Sequence, residues 1–306
     1  MSITSCWELL SVLSKVLIYL GAASALGGAF CLLNYSDGKR ATLRHILGLH
    51  LTGALLGLHA VAAAFLAQVG TASGSGLSGA FDREMAGLLL GTQLGGLSLF
   101  RAVGFAILIG SGLSFYQAMV KRTRAPSRLF YQRLFAFNAF GFIFLLLSFR
   151  FGGHVSVQSL SVQFALAVHF TMFALWVGAL YPLLTISRTE QVAELKVSLE
   201  RFSTHAVVIV SLLLLSGLTL MLSLIHSTAE LFTTPYGIAL TLKTVLVVVL
   251  LGIAAVNKFI IVPRLLLQTD TAQFQRSVSV EIAVAVILLL LTAYLSTALG
   301  PGPALS

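Results

Sequence analysis

The sequence predicts an all-α integral membrane protein: eight transmembrane helices arranged as two parallel four-helix repeats. Three observations carry that prediction. The 306 residues are 58% hydrophobic and 9% charged, with a mean hydropathy of +0.97, which leaves too little polar side chain to clothe a soluble domain. Apolar runs of spanning length occur eight times along the chain. Two short signatures also recur at almost one offset, Thr92 to Thr234 and Tyr131 to Phe274, and recurrence at a fixed period marks a duplicated unit.

The apolar runs fall near 14–34, 46–69, 92–119, 134–151, 161–184, 204–226, 238–262 and 277–299. Within hydrocarbon only a helix satisfies its own backbone groups in a single segment, so each run reads as a helix. The stretch from Asp82-Arg83-Glu84-Met85 reads as interfacial, because Thr92 opens the third span as Thr234 opens the seventh. The repeat divides the chain into residues 1–151 and 152–306. Gly53-x-x-x-Gly57 and Gly91-x-x-x-Gly95 have the small-residue spacing that lets membrane helices approach closely. Cys6 and Cys31 flank most of the first helix, roughly 37 Å apart at 1.5 Å per residue, too far to pair.

A net charge of +9 would suit nucleic acid if it formed a patch, but the basic residues sit in short clusters between apolar runs. The loops after the first, third, fifth and seventh helices hold fourteen Lys and Arg, from Lys39 to Arg276. The other side holds Lys15, Arg83 and Arg150, with Arg101 and Lys243 inside helices. The positive-inside rule therefore puts the fourteen in the cytoplasm and both termini on the opposite side.

The polar residues within the spans are the candidates for chemistry, since an ionisable group in a membrane is a functional hypothesis by default. His169, Met172 and Trp176 lie at i, i+3 and i+7, one stripe of the fifth helix. Imidazole and thioether suit copper, the thioether favouring the cuprous ion, and Trp176 would wall such a site. A buried histidine with ordinary packing neighbours fits the same spacing. His59 lies in the outer half of the second helix. His50, nine residues earlier, lies on nearly the opposite face, and of the two His59 is better placed to join an outer site. His154, in the loop Gly152-Gly153-His154, would close that site from above. His226 reads as solvated, and His45 and His205 as headgroup or capping residues. Arg101 and Lys243 read as snorkelling groups that fix helix depth, or alternatively as gates for cations. Glu281, whose repeat equivalent is Asn138, needs a partner or water and reads as a cation exit ligand or proton acceptor, or as half of a structural pair with a nearby Arg or Lys.

From residue 150 onward the chain resembles the copper resistance protein D (CopD) family of bacterial inner-membrane proteins. The resemblance rests on Gly153-His154, on His169 followed by Ala174-Leu175-Trp176-Val177-Gly178-Ala179-Leu180-Tyr181-Pro182, and on Arg201-Phe202-Ser203 and Ser216-Gly217. It continues through Thr233-Thr234-Pro235-Tyr236-Gly237 with Lys243, Asn257-Lys258, Val262-Pro263-Arg264-Leu265 and Arg276-Ser277 with Glu281. The family pattern maps onto His154, His169, Trp176 and Glu281, whereas His59 and Met172 rest on placement alone. The resemblance implies copper movement across the bacterial cytoplasmic membrane, import from periplasm to cytoplasm, in copper homeostasis or resistance, with a separate periplasmic copper-binding protein of the CopC type as partner.

The expected role is thus a non-enzymatic copper permease with Cu(I) or Cu(II) as cargo. The chain lacks the Cys-Pro-Cys, nucleotide-binding and phosphorylation motifs of a pumping ATPase. Two alternatives stay open: a haem b electron-transfer protein with axial histidines such as His59 and His169 on facing helices, and a membrane scaffold that docks a periplasmic copper chaperone.

Overall fold

The computed structural model describes residues 3–35, 38–121, 125–152, 157–225, 227–268 and 271–299. Eight of its helices are long and apolar enough to cross a membrane. In chain order the helices are α1 (Ile3–Tyr35), α2 (Arg40–Ser73), α3 (Arg83–Leu90), α4 (Gln93–Lys121), α5 (Arg128–Ser148), α6 (Leu160–Thr189), α7 (Val192–Leu224), α8 (Glu230–Thr233), α9 (Pro235–Val256), α10 (Val262–Gln268) and α11 (Ala272–Tyr294). The spans are α1, α2, α4, α5, α6, α7, α9 with α10, and α11. Most helices run past the apolar stretch predicted for them. Their backbone bonds continue into turns rich in Ser, Thr and charged residues, which suit the polar membrane surface.

α1 is the hub. Within its apolar stretch 67% of residues are buried by other helices, against 11% in α7. Small residues make this possible. A Cβ on Gly27 would meet the backbone of Gly178 at 2.5 Å, so α1 and α6 touch backbone to backbone. Gly53 does the same for α2, packing on Gly21 and Ser24 of α1, and Gly57 admits the ring of Phe105 from α4. The first of the two predicted small-residue motifs is therefore a true helix crossing.

Beyond this hub, α4 pairs with α5, α6 with α7, and α9 with α11. Phe170 of α6 stacks on Phe142 of α5 at 5.2 Å and meets Tyr19 of α1 at the same distance. These rings tie the first four spans to the fifth. Cys6 and Cys31 are both free thiols.

Two local irregularities position polar groups. Residues Asn257–Ile261 form a π-helical stretch between α9 and α10. Pro263 explains it: proline has no amide to donate to the carbonyl four residues back and its ring collides with that turn, so the helix widens just before it. A second π-helical stretch, Leu295–Leu299, follows α11.

Candidate functional site

The duplicated Thr-x-x-Gly signature is a helix-start device. Thr234 caps α9 by accepting a hydrogen bond from the Gly237 amide at 3.0 Å, and Thr92 accepts from the Leu94 amide at 3.2 Å. In both copies a short helix comes just before, α3 in one case and α8 in the other, as the interfacial reading of residues 82–85 onward expects. Asp82 caps α3 through the Met85 amide at 3.0 Å. Each signature glycine then lies against the last turn of its short helix: a Cβ on Gly95 would collide with the Leu90 carbonyl, and one on Gly237 with the Glu230 carbonyl. The second small-residue motif, Gly91 to Gly95, belongs to this device and not to a crossing of two spans.

The basic residues six positions beyond these glycines part ways. Arg101 donates through Nε to Ser148 Oγ on α5 at 3.3 Å. Lys243 has no hydrogen bond or ion pair among the described residues and lies within electrostatic reach of His169. Lys15 of α1 donates to the Ser296 carbonyl at 3.1 Å and its hydroxyl at 3.0 Å.

His169 projects from α6 onto α7. Its Nδ1 lies 3.0 Å from the Leu213 carbonyl and 3.4 Å from Ser216 Oγ. A carbonyl only accepts, so Nδ1 carries a proton, and in the neutral ring the lone pair is then on Nε2. Gly217 makes room for the ring: a Cβ there would sit 3.0 Å from His169 Cε1. Met172 and the buried Trp176 continue the stripe into an apolar cluster with Ile209 of α7, Leu250 of α9 and Ala285 of α11. The sequence stripe is thus a wall of the α6–α7–α9–α11 interior with His169 at the end nearer the start of α6. The orientation of such a ring by a backbone carbonyl is the usual second shell of a metal-ligating histidine.

The other predicted ligands lie elsewhere. His59 is on an exposed face of α2, where Nδ1 bonds the Leu55 carbonyl of its own helix at 2.8 Å. It opens onto an apolar groove of about 390 Å³ lined by residues of α2, α3 and α4, including Phe65, Leu90 and Leu99. His59 bonds its own helix while His169 bonds α7, so nothing in this arrangement supports the pair as facing axial ligands of a haem. His154 and His226 lie outside the described residues. Among those described, no group of three or more His, Cys, Asp or Glu side chains gathers closely enough to hold a metal ion.

At the other end of the second half, Glu281 on α11 is buried at 3% exposure. Its partner is Asn257, not a Lys or Arg: Asn257 Nδ2 donates to Glu281 Oε1 at 2.6 Å. The π-helical stretch before Pro263 sets that asparagine at the α9–α11 interface. The corresponding residue in the first half, Asn138, is fully buried and donates to Ser111 Oγ at 3.2 Å. His205 does not cap a helix: the Tyr35 hydroxyl meets its Nδ1 at 2.5 Å, tying α1 to α7.

Eight spanning-length helices with imidazole, carboxamide and carboxylate groups held between them define a multi-pass membrane protein with polar sites inside the bilayer. Residues 196–295 match the model of the copper resistance protein D (CopD) family. That match supports the family resemblance seen in the sequence, and it implies copper handling in a membrane. It covers the side of the His169 site formed by α7 and α9 as well as the Asn257–Glu281 pair. No curated protein and no solved structure showed significant similarity to the chain.

Proposed function

We propose that the protein carries copper across the cytoplasmic membrane of a bacterium, from the periplasmic side inward. The cargo would be taken up at His169 and released past Glu281. The observation that carries this reading is the hydrogen bond from His169 Nδ1 to the Leu213 carbonyl, which presents Nε2 as a fixed, unprotonated ligand inside the outer half of the bundle. Met172, one turn further in, adds a thioether suited to the cuprous ion, and Trp176 keeps water from the path. Glu281 Oε1 is engaged by Asn257, and Oε2 has no hydrogen bond among the described residues, so it offers a free carboxyl oxygen at the cytoplasmic end.

Copper would reach the outer face from a separate periplasmic copper-binding protein of the CopC type, with His154 as the first residue to meet it. The chain supplies no ATP hydrolysis in this scheme, and the ion moves down its own gradient or that of a coupled ion. The test is copper uptake by vesicles reconstituted with purified protein. Uptake is expected to fall to the protein-free level in His169→Ala, and normal uptake by that variant would remove His169 from the path. A haem absorption band in the purified protein would replace the whole scheme.

A further inference from the structure

At the end of the bundle rich in Lys and Arg, a cavity of about 530 Å³ opens between α2 and α4. Arg40, Ala41 and Arg44 line it from α2, and Tyr116, Met119 and Val120 from α4. That is room for a small molecule, not only for a single ion. The apolar run of α2 begins near residue 46 and that of α4 ends near 119. The cavity therefore stands where hydrocarbon gives way to headgroups, the level that tyrosine and arginine favour in membrane proteins.

No acidic side chain lines this cavity. The two loops at this end, 36–45 and 121–133, hold eight Lys and Arg against one acid, Asp37. The basic residues nearby have separate tasks. Lys39 turns toward the second half, where its Nζ meets Glu194 Oε2 at 3.5 Å and the Thr189 carbonyl at 3.3 Å. Arg40 donates through Nη2 to the Met119 and Val120 carbonyls at 3.4 Å each. Those carbonyls belong to the last turn of α4, which lacks helical donors, so Arg40 fixes one wall of the cavity to the other. Arg44, one turn further along the same face of α2, is exposed and has no hydrogen bond or ion pair among the described residues. The half-buried Tyr116 hydroxyl has no hydrogen bond among them either.

Like charges one turn apart repel each other, and a negative group between them relieves that repulsion. An anion with several acceptor oxygens on an apolar body matches the whole lining: guanidinium for the charge, a phenol hydroxyl as donor, Met119 and Val120 for the part nearest the bilayer. Basic pockets between membrane helices take phospholipid headgroups for this reason. We propose that the cavity binds the phosphate headgroup of an anionic phospholipid from the adjoining leaflet. Arg44 is its principal contact, Arg40 adds a second positive charge and Tyr116 donates a hydrogen bond. The site lies in the first four spans, apart from His169 and Glu281, and its test needs no copper.

The test is titration of the purified full-length protein in detergent with phosphatidylglycerol, the bound lipid being counted by native mass spectrometry. One phosphatidylglycerol is expected to bind about tenfold more tightly than phosphatidylcholine. Arg44→Gln is expected to weaken that lipid about fivefold, and Tyr116→Phe about threefold. Arg276→Gln, at an exposed basic position outside the cavity, is expected to change nothing. Tyr116→Phe removes only a hydroxyl and decides the matter if Arg44→Gln fails to fold. Equal losses in Arg44→Gln and Arg276→Gln would reduce the effect to diffuse surface charge and overturn the site. No preference over phosphatidylcholine would overturn it as well. Displacement of the lipid by inorganic phosphate at equal concentration would make this a site for a free anion and overturn the lipid assignment.

Discussion

Asn257 holds Glu281 across the interface of α9 and α11, Nδ2 to Oε1 at 2.6 Å, with both side chains buried. A carboxylate inside a membrane bundle needs such a donor, and the widened turn before Pro263 supplies it. The pair can be taken apart selectively. A glutamine at 281 still accepts from Asn257, so Glu281→Gln is expected to melt within about 1 kcal/mol of the parent protein. It removes the negative oxygen and is expected to cut vesicle copper uptake at least tenfold. Asn257→Ala leaves the carboxylate without its donor and is expected to cost about 1–3 kcal/mol. Thermal melting in detergent beside uptake separates the two effects; full uptake by Glu281→Gln would take the carboxylate out of the path.

The glycine under His169 makes a sharper test of ring orientation. A Cβ on Gly217 would stand 3.0 Å from His169 Cε1 and 3.2 Å from Nδ1. The neighbouring Ser216 and Leu213 hold the ring from the same helix, so Gly217→Ala must turn it off the Leu213 carbonyl. Overpacking of this kind costs about 1–3 kcal/mol, and cuprous affinity at the outer site is expected to drop about tenfold. Gly112→Ala, whose Cβ would make ordinary contact at 3.4 Å from His50 Nε2, is expected to leave cuprous affinity unchanged. Equal effects of the two alanines on copper affinity would show that His169 orientation does not matter.

The signature that repeats along the chain makes the opposite prediction. Thr234 and Gly237 build the start of α9 against α8 and touch neither His169 nor Glu281. Thr234→Ala removes a cap and is expected to cost about 1 kcal/mol. Gly237→Ala collides with the Glu230 carbonyl and must push the short helix aside, so its melting temperature is expected to fall further. Uptake per folded molecule is expected to remain within twofold of the parent in both. A selective loss of transport with normal melting would turn this device from scaffold into gate.

The number and order of spans were legible because length and hydropathy determine them together. Which histidine faces inward was not. Spacing put His50 and His59 on opposite faces of α2, but that helix is apolar on every side, so no amphipathic stripe marked its buried face. His59 looked the better ligand by depth; the structure buries His50 and exposes His59. The signal that would have singled out His50 is the second Leu-x-x-Ser-Gly-Leu at 213–218, whose Leu213 carbonyl meets His169 as the Leu108 carbonyl of 108–113 meets His50. The partner of Glu281 was hidden for a similar reason. Lys or Arg seemed natural for a carboxylate, yet the neighbour depends on how a π-helical stretch turns Asn257, which sequence periodicity does not express. The His169, Met172 and Trp176 stripe was legible because it lies on one helix, where spacing alone sets the face.

Orientation is open to direct labelling. The loops rich in Lys and Arg all lie at one end of the bundle, between α2 and α1, α4 and α5, α6 and α7, and α10 and α11. Basic residues resist translocation, so this end is expected in the cytoplasm. Ser75, just past α2, and Ser127, just ahead of α5, are exposed polar positions at opposite ends. In a background where Cys6 and Cys31 are both replaced by Ser, Ser75→Cys is expected to react with a membrane-impermeant thiol reagent applied to cells whose outer barrier has been opened. Ser127→Cys is expected to react only after the cytoplasmic membrane is permeabilised. The reverse pattern would place His169 in the cytoplasmic half, and copper taken up there would leave the cell instead of entering it.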